Sequence, residues 1–132
     1  MTRVTLATVL GATLFTLAPA FLEAHHSDVM FEDKKEITVE GVVKEFQYTN
    51  PHSWLLVDVT NKDGSVTTWG FEAEGPSTLM RNKIRKSDFP FGTKLTITGR
   101  PMKDGRPAAI WRKAVREDGT EFYTSGRAPQ PN

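Results

Sequence analysis

The stretch EITVEGVVKEFQYT, residues 36–49, is a strand pattern that changes phase part-way along. Ile37, Val39 and Gly41 share one parity, whereas Val42, Phe46 and Tyr48 share the other. Strand side chains alternate strictly between faces, so the change needs a bulge or kink, expected here beside Gly41. A long strand that coils in this way can pair with a different neighbour along each half, as the first strand of a small closed barrel must.

The segments that follow are short strands separated by turns. NPH ends the first strand, because proline cannot continue a ladder and restricts the residue before it. SWLLVDVT places Leu55, Val57 and Val59 on one face, NKDG supplies a hairpin turn, and SVTTWGFEA places Trp69 and Phe71 on one face. Alternation stops in GPSTLMRNKIRK. Pro76 suits the first turn of a helix, and Leu79, Met80 and Ile84 would form one apolar stripe, predicting a helix over 76–86. KLTITGRPM and PAAIWRKAVR return to strand character, and EDGT turns the chain into EFYT. Three strands, a short helix and two strands is the order of the OB-fold, an all-β, five-stranded Greek-key barrel. An open antiparallel sheet with one helix is the alternative. The expected core is Val39, Val43, Leu55, Val57, Trp69, Phe71, Leu79, Leu95 and Ile97.

The N-terminus reads as an export signal. Arg3 precedes VTLATVLGATLFTL, an uncharged run of 14 residues, and small residues follow in APAFLEA. A membrane span needs roughly 20 apolar residues, so a cleaved signal peptide fits better, with cleavage after Ala20 or Ala24. The division expected is a signal peptide over 1–24, a lead-in over 25–34, a barrel over 35–125 and a tail over 126–132. No later stretch is apolar enough to span a bilayer. The chain has no cysteine, so it has neither disulfides nor soft-metal thiolates, and a periplasmic or secreted address is expected. Charge is uneven: residues 25–78 carry 4 Lys/Arg against 10 Asp/Glu, and residues 79–132 carry 12 against 5. In a barrel the two halves interleave, so pairing across strands is the simpler reading of this asymmetry.

Three histidines are present, His25, His26 and His52. Imidazole binds zinc, copper, nickel and iron. Cleavage after Ala24 would give His25 a free α-amine beside its ring nitrogen, a chelating pair that His26 and His52 could complete. Asp28 or Met30 could assist. An amine-and-imidazole set without thiolate suits copper(II), which stands highest in the first-row series. The competing reading is a mobile lead-in and a turn-organising His52. Trp54 and Trp69, on the second and third strands, could instead stack on a sugar ring or another small ligand. The basic run Arg81, Lys83, Arg85 and Lys86 could attract phosphates or anionic lipid. Nucleic acid is not an expected partner of an exported chain, whereas an envelope protein is, the domain then acting as a non-catalytic subunit. There is no GxSxG, P-loop, dinucleotide or HExxH motif, and no enzyme activity is expected.

Taken together, HHSDVMFEDKKEITVEGVVKEFQYTNPHSW, WGFEAEGPSTLMR, FGTKLTITGRPMKDG and EDGTEFYTSG resemble a family of small exported bacterial proteins known only as a domain of unknown function. The likeness covers nearly all of the chain after the signal. Two departures stand out: Tyr48 replaces a usual tryptophan, and Lys83-Ile84 replaces a frequent Gly-Trp pair. The resemblance implies that HHS begins the mature protein and that NPH belongs to the same pattern. It implies no activity, cofactor or catalytic residue.

Overall fold

The computed structural model describes residues 29–124. They form strands β1 (Ile37–Gln47), β2 (His52–Thr60) and β3 (Val66–Glu74), helix α1 (Pro76–Arg81) and a 3-10 turn (Lys86–Asp88). Strands β4 (Lys94–Pro101), β5 (Ala108–Arg116) and β6 (Glu121–Tyr123) follow. Pairing runs β3-β2-β1-β4-β5-β6, and a further parallel pairing of β3 with β5 closes the first five strands into a barrel. This is the small all-β barrel with one short helix that the strand order implies. The sixth strand lies outside the ring. β3 reaches only Ala108–Ile110 of β5, and β6 pairs with the stretch beyond it, Lys113–Val115.

The first strand bends, but not where the alternation places the bend. Register against β2 shifts between Val43 and Glu45, leaving Lys44 as the extra residue. Val43 therefore continues the parity of Ile37 and Val39 and is fully buried, while Val42 is exposed. Gly41 has a different job. A Cβ there would lie 2.6 Å from both the Asp58 carbonyl oxygen and Val57 Cγ1. At this point β1 passes from its pairing with β4 to its pairing with β2, and only a residue without a side chain lets the backbones approach so closely.

Inside the barrel sit Val43, Leu55, Val57, Phe71, Leu79, Leu95 and Ile97, as expected, whereas Val39 and Trp69 are only half-buried. The centre is more aromatic than the alternation suggests. Trp111 is fully buried and packs edge-on against Phe46 and Phe89, whose ring centroids lie 6.0 and 5.2 Å away. Phe122 from β6 meets Phe89 at 4.7 Å.

The helix is shorter than 76–86. It ends at Arg81, and Lys83 takes a left-handed φ of 61°. The Lys83 N–H donates to the Met80 carbonyl and the Ile84 N–H to the Leu79 carbonyl, a Schellman closure. Leu79 and Ile84 then both enter the core, while Met80, expected in their stripe, faces solvent. The lead-in is also anchored. Phe31 is buried and bridges Met102, Glu32 N–H donates to the Pro101 carbonyl, and Lys103 N–H donates to the Met30 carbonyl.

Candidate functional site

In β2, Ser53, Leu55 and Val57 point into the barrel, so His52, Trp54 and Leu56 share the outer face. Their partners on β3 are Glu74, Glu72 and Gly70 in the same order. On the other side, Glu72 has Ile110 of β5 as its neighbour. A carboxylate on an outer face ordinarily reaches water, but Glu72 is only 6% exposed. Its ladder neighbours on that face are Trp54 on one flank and Ile110 on the other.

His52 supplies the polar partner that such a carboxylate needs. Its Nδ1 hydrogen-bonds Glu72 Oε1 diagonally across the ladder. When the carboxylate is ionised it can only accept, and Nδ1 is then the donor. In the neutral ring with Nδ1 as donor, Nε2 is an acceptor or metal ligand, on a side chain 27% exposed. The NPH turn just before this ring contains a cis Asn50-Pro51 peptide, and within it Thr49 Oγ1 donates to the His52 carbonyl and Ser53 Oγ donates to the Thr49 carbonyl. Tyr48, just before the turn, donates its hydroxyl toward the Ile84 and Pro76 carbonyls at 2.9 and 3.2 Å. Burial, followed by the nearby Asp88 charge, pushes its phenol pKa above the ordinary value. Tyr48 therefore ties the end of β1 to the segment that follows β3.

Beside the pair, the Trp54 ring packs over Gly70. A Cβ at Gly70 would come within 3.1 Å of Trp54 Cε3 and 3.2 Å of Cζ3, so the glycine lets the indole rest on the strand. Trp69 does not join it. It is the partner of Val57 on the inner face, packed against the core and stacked with Phe71 at 6.2 Å. The two tryptophans occupy opposite faces and form no single platform.

His25, His26 and Asp28 lie outside the described residues. Met30 is described, exposed and adjacent to Lys103. Among the described residues, no group of three or more His, Cys, Asp or Glu is placed to hold a metal ion, and no helix is long and apolar enough to cross a membrane.

The family model for DUF6152, a family of unknown function, matches residues 14–111. The chain belongs to that family. No curated protein and no solved structure matches it. The DUF6152 match spans β1 to β4 and ends at Trp111 within β5, so it contains both His52 and Glu72. Alternation alone identifies Glu72 and Glu74 as a same-face acidic pair, but not that the first of them is buried against His52. That depends on cross-strand register, which a single strand does not encode.

Proposed function

We propose that this DUF6152 protein is an exported, non-catalytic barrel, periplasmic or secreted, that binds copper through His52 together with His25 and His26. One observation carries the reading: His52 Nδ1 is hydrogen-bonded to a buried carboxylate, leaving Nε2 outside that bond. Metal-ligating histidines almost always hold their second nitrogen in this way, which fixes the ring and raises the basicity of the coordinating nitrogen. His52 Nε2 is the ligand in this reading, and Glu72 positions it without touching the metal.

Location on the barrel adds support. OB-type barrels bind ligands on the face of strands two and three, between the β1–β2 and β4–β5 loops. His52 begins β2 at the first loop, and the anchored lead-in meets the chain beside the second. Pairings link Phe31 to Met102, Met102 to Ala108, Ala108 to Gly70, and Gly70 to Leu56 of β2. With strand spacings of roughly 4.8 Å and a rise of roughly 3.3 Å per residue, His52 lies on the order of 20–25 Å from Phe31 over the surface. The chain from His25 to Phe31 extends about 20 Å before its side chains are added.

Titration of the processed protein with copper(II) and zinc(II) tests the reading, alongside His25→Ala and His52→Ala. Tight copper binding that both variants weaken is expected. Parent-like affinity in both would sink the proposal.

A second reading rests on Trp54, half-buried on the same face and packed over Gly70. It makes the face a binding site for a carbohydrate or other small ligand without metal. Oligosaccharide titration followed by tryptophan fluorescence separates the two, since His52→Ala would then leave the response intact.

A further inference from the structure

The connection from β3 to β4, residues 75–93, closes one end of the barrel by sending Leu79, Ile84 and Phe89 into the core. Two of its other side chains are large and apolar yet face solvent. Phe91 is 84% exposed and Met80 is 62% exposed. Phe91 is not at the tip of a loose loop. Thr93 N–H and Oγ1 both bond the Pro90 carbonyl, and Val43 exchanges backbone hydrogen bonds with Gly92 and Thr93. The ring is presented at the corner of a turn fastened to β1.

The same connection carries Arg81, Lys83, Arg85 and Lys86, all exposed, against one acidic residue, Asp88. Asp88 accepts the Arg85 backbone N–H at 2.6 Å and is thus turned back on its own loop. The ion pairs among the described residues all lie elsewhere on the barrel. Pairing across strands, the simpler reading of the charge asymmetry, does not reach these four cations.

We propose that this end of the barrel docks on an anionic phospholipid surface, with Phe91 and Met80 inserted among the headgroups and the four basic side chains on the phosphates. Stable attachment to a bilayer takes two signals, apolar insertion and a basic cluster, and this connection holds both. His52 and Glu72 are not part of the connection, so the inference stands apart from the copper reading.

The absence of cysteine allows a direct test on the processed protein. Phe91→Cys and, at the opposite end of β3, Lys62→Cys each carry one environment-sensitive fluorophore. Phosphatidylglycerol vesicles should blue-shift the probe at 91 and leave the probe at 62 unchanged, while phosphatidylcholine vesicles should move neither. Lys83→Glu with Lys86→Glu should weaken binding in a sedimentation assay by about fivefold or more for each cation lost. Both positions are exposed, and circular dichroism confirms folding. A probe at 91 that stays in water, an equal response to phosphatidylcholine, or undiminished binding by the charge-reversed protein overturns the proposal. So does charge-dependent sedimentation without a shift at 91, which would mark a purely electrostatic contact.

Discussion

His52 and Glu72 form a hydrogen-bonded pair across the β2–β3 ladder in which the carboxylate is the more deeply buried partner, its side chain 9% exposed against 27% for the His52 side chain. The two ends of the pair are therefore not equivalent. Removing Glu72 leaves a ring that can still reach water, whereas removing His52 leaves a buried carboxylate without that partner. Leaving such a group unsatisfied costs about 1–3 kcal/mol or more for a charged one. His52→Ala should destabilise the barrel more than Glu72→Gln, as measured by urea unfolding. The reverse order would contradict this description of the pair.

The positioning role has its own readout. Glu72→Ala frees the His52 ring to exchange tautomers, and ring-nitrogen chemical shifts should report the change from a fixed Nδ1–H form. Losing the partner that orients a metal-binding histidine typically costs 10–100-fold in metal affinity, so in the proposed copper site binding should weaken by about tenfold or more. Unchanged affinity together with a changed tautomer would mean that Nε2 coordination does not depend on Glu72.

Trp54 and Gly70 make a separate claim about the outer face. An alanine at 70 would press on an indole that is free to lift toward solvent, so the strain is small, about 1 kcal/mol at the low end for overpacking. Gly70→Ala should red-shift the Trp54 emission with only a modest loss of stability. The spectra are best taken in a Trp69→Phe background. An unshifted spectrum would mean that the indole is held by something other than its seat on the glycine.

How much of this was legible in the sequence differs from element to element. Alternation is a local signal, and it identified β2, β3, β4 and their buried faces because each is short and keeps one phase. In β1, valines at both 42 and 43 left two phases open, and only pairing with β2 shows that Lys44 is the extra residue. Phe89 lies in FPFGT, a stretch that reads as a helix stop, yet its ring fills the barrel end while Phe91, two residues on, stands in solvent. Gly92 and Thr93 bond the Val43 backbone of β1, a long-range contact that alternation along the segment does not encode. The His52–Glu72 pair likewise depends on long-range register.

Gly41 offers a sharp contrast with Gly70. The atoms that a Cβ would meet at 41 include the Asp58 backbone carbonyl at 2.6 Å, which cannot swing aside. Gly41→Ala should therefore cost about 1–3 kcal/mol or more. Thermal unfolding should show a clearly larger loss than for Gly70→Ala. Equal losses would mean that β1 can shift away from β2 at the crossing.

Asp118, in the β5–β6 turn, gives an acid-range prediction. Hydrogen bonds from the Arg116 side chain and then from the Thr120 backbone N–H hold its carboxyl down at about 2, against an ordinary 3.8. A depressed folded-state value means that the contribution to stability is fully present above about 3.8 and is lost as pH falls through about 2. Carboxyl resonances followed by NMR should place the Asp118 midpoint near that lower value. In Arg116→Met the midpoint should rise toward the ordinary range.

Lys83 closes the helix in a conformation that costs an ordinary residue energy. Its φ of 61° is left-handed, and glycine is the residue that usually fills this position of a Schellman closure. The hydrogen bonds involved, from Lys83 N–H to Met80 O and from Ile84 N–H to Leu79 O, are backbone bonds that glycine would keep. The Lys83 side chain is exposed and forms no ion pair among the described residues, so little packing is lost with it. Relief of left-handed strain, roughly 1–2 kcal/mol for a residue with a Cβ, is partly offset by the greater freedom of glycine in the unfolded chain. Lys83→Gly should stabilise the barrel by about 0.5–1 kcal/mol in urea unfolding, and Lys83→Val should destabilise it, because β-branching is poorly tolerated at positive φ. A neutral or destabilising glycine would show that the helix ends differently in solution. Vesicle binding by the glycine variant should fall by about the fivefold assigned to one cation, which separates the role of Lys83 in the fold from its role on the membrane-facing surface.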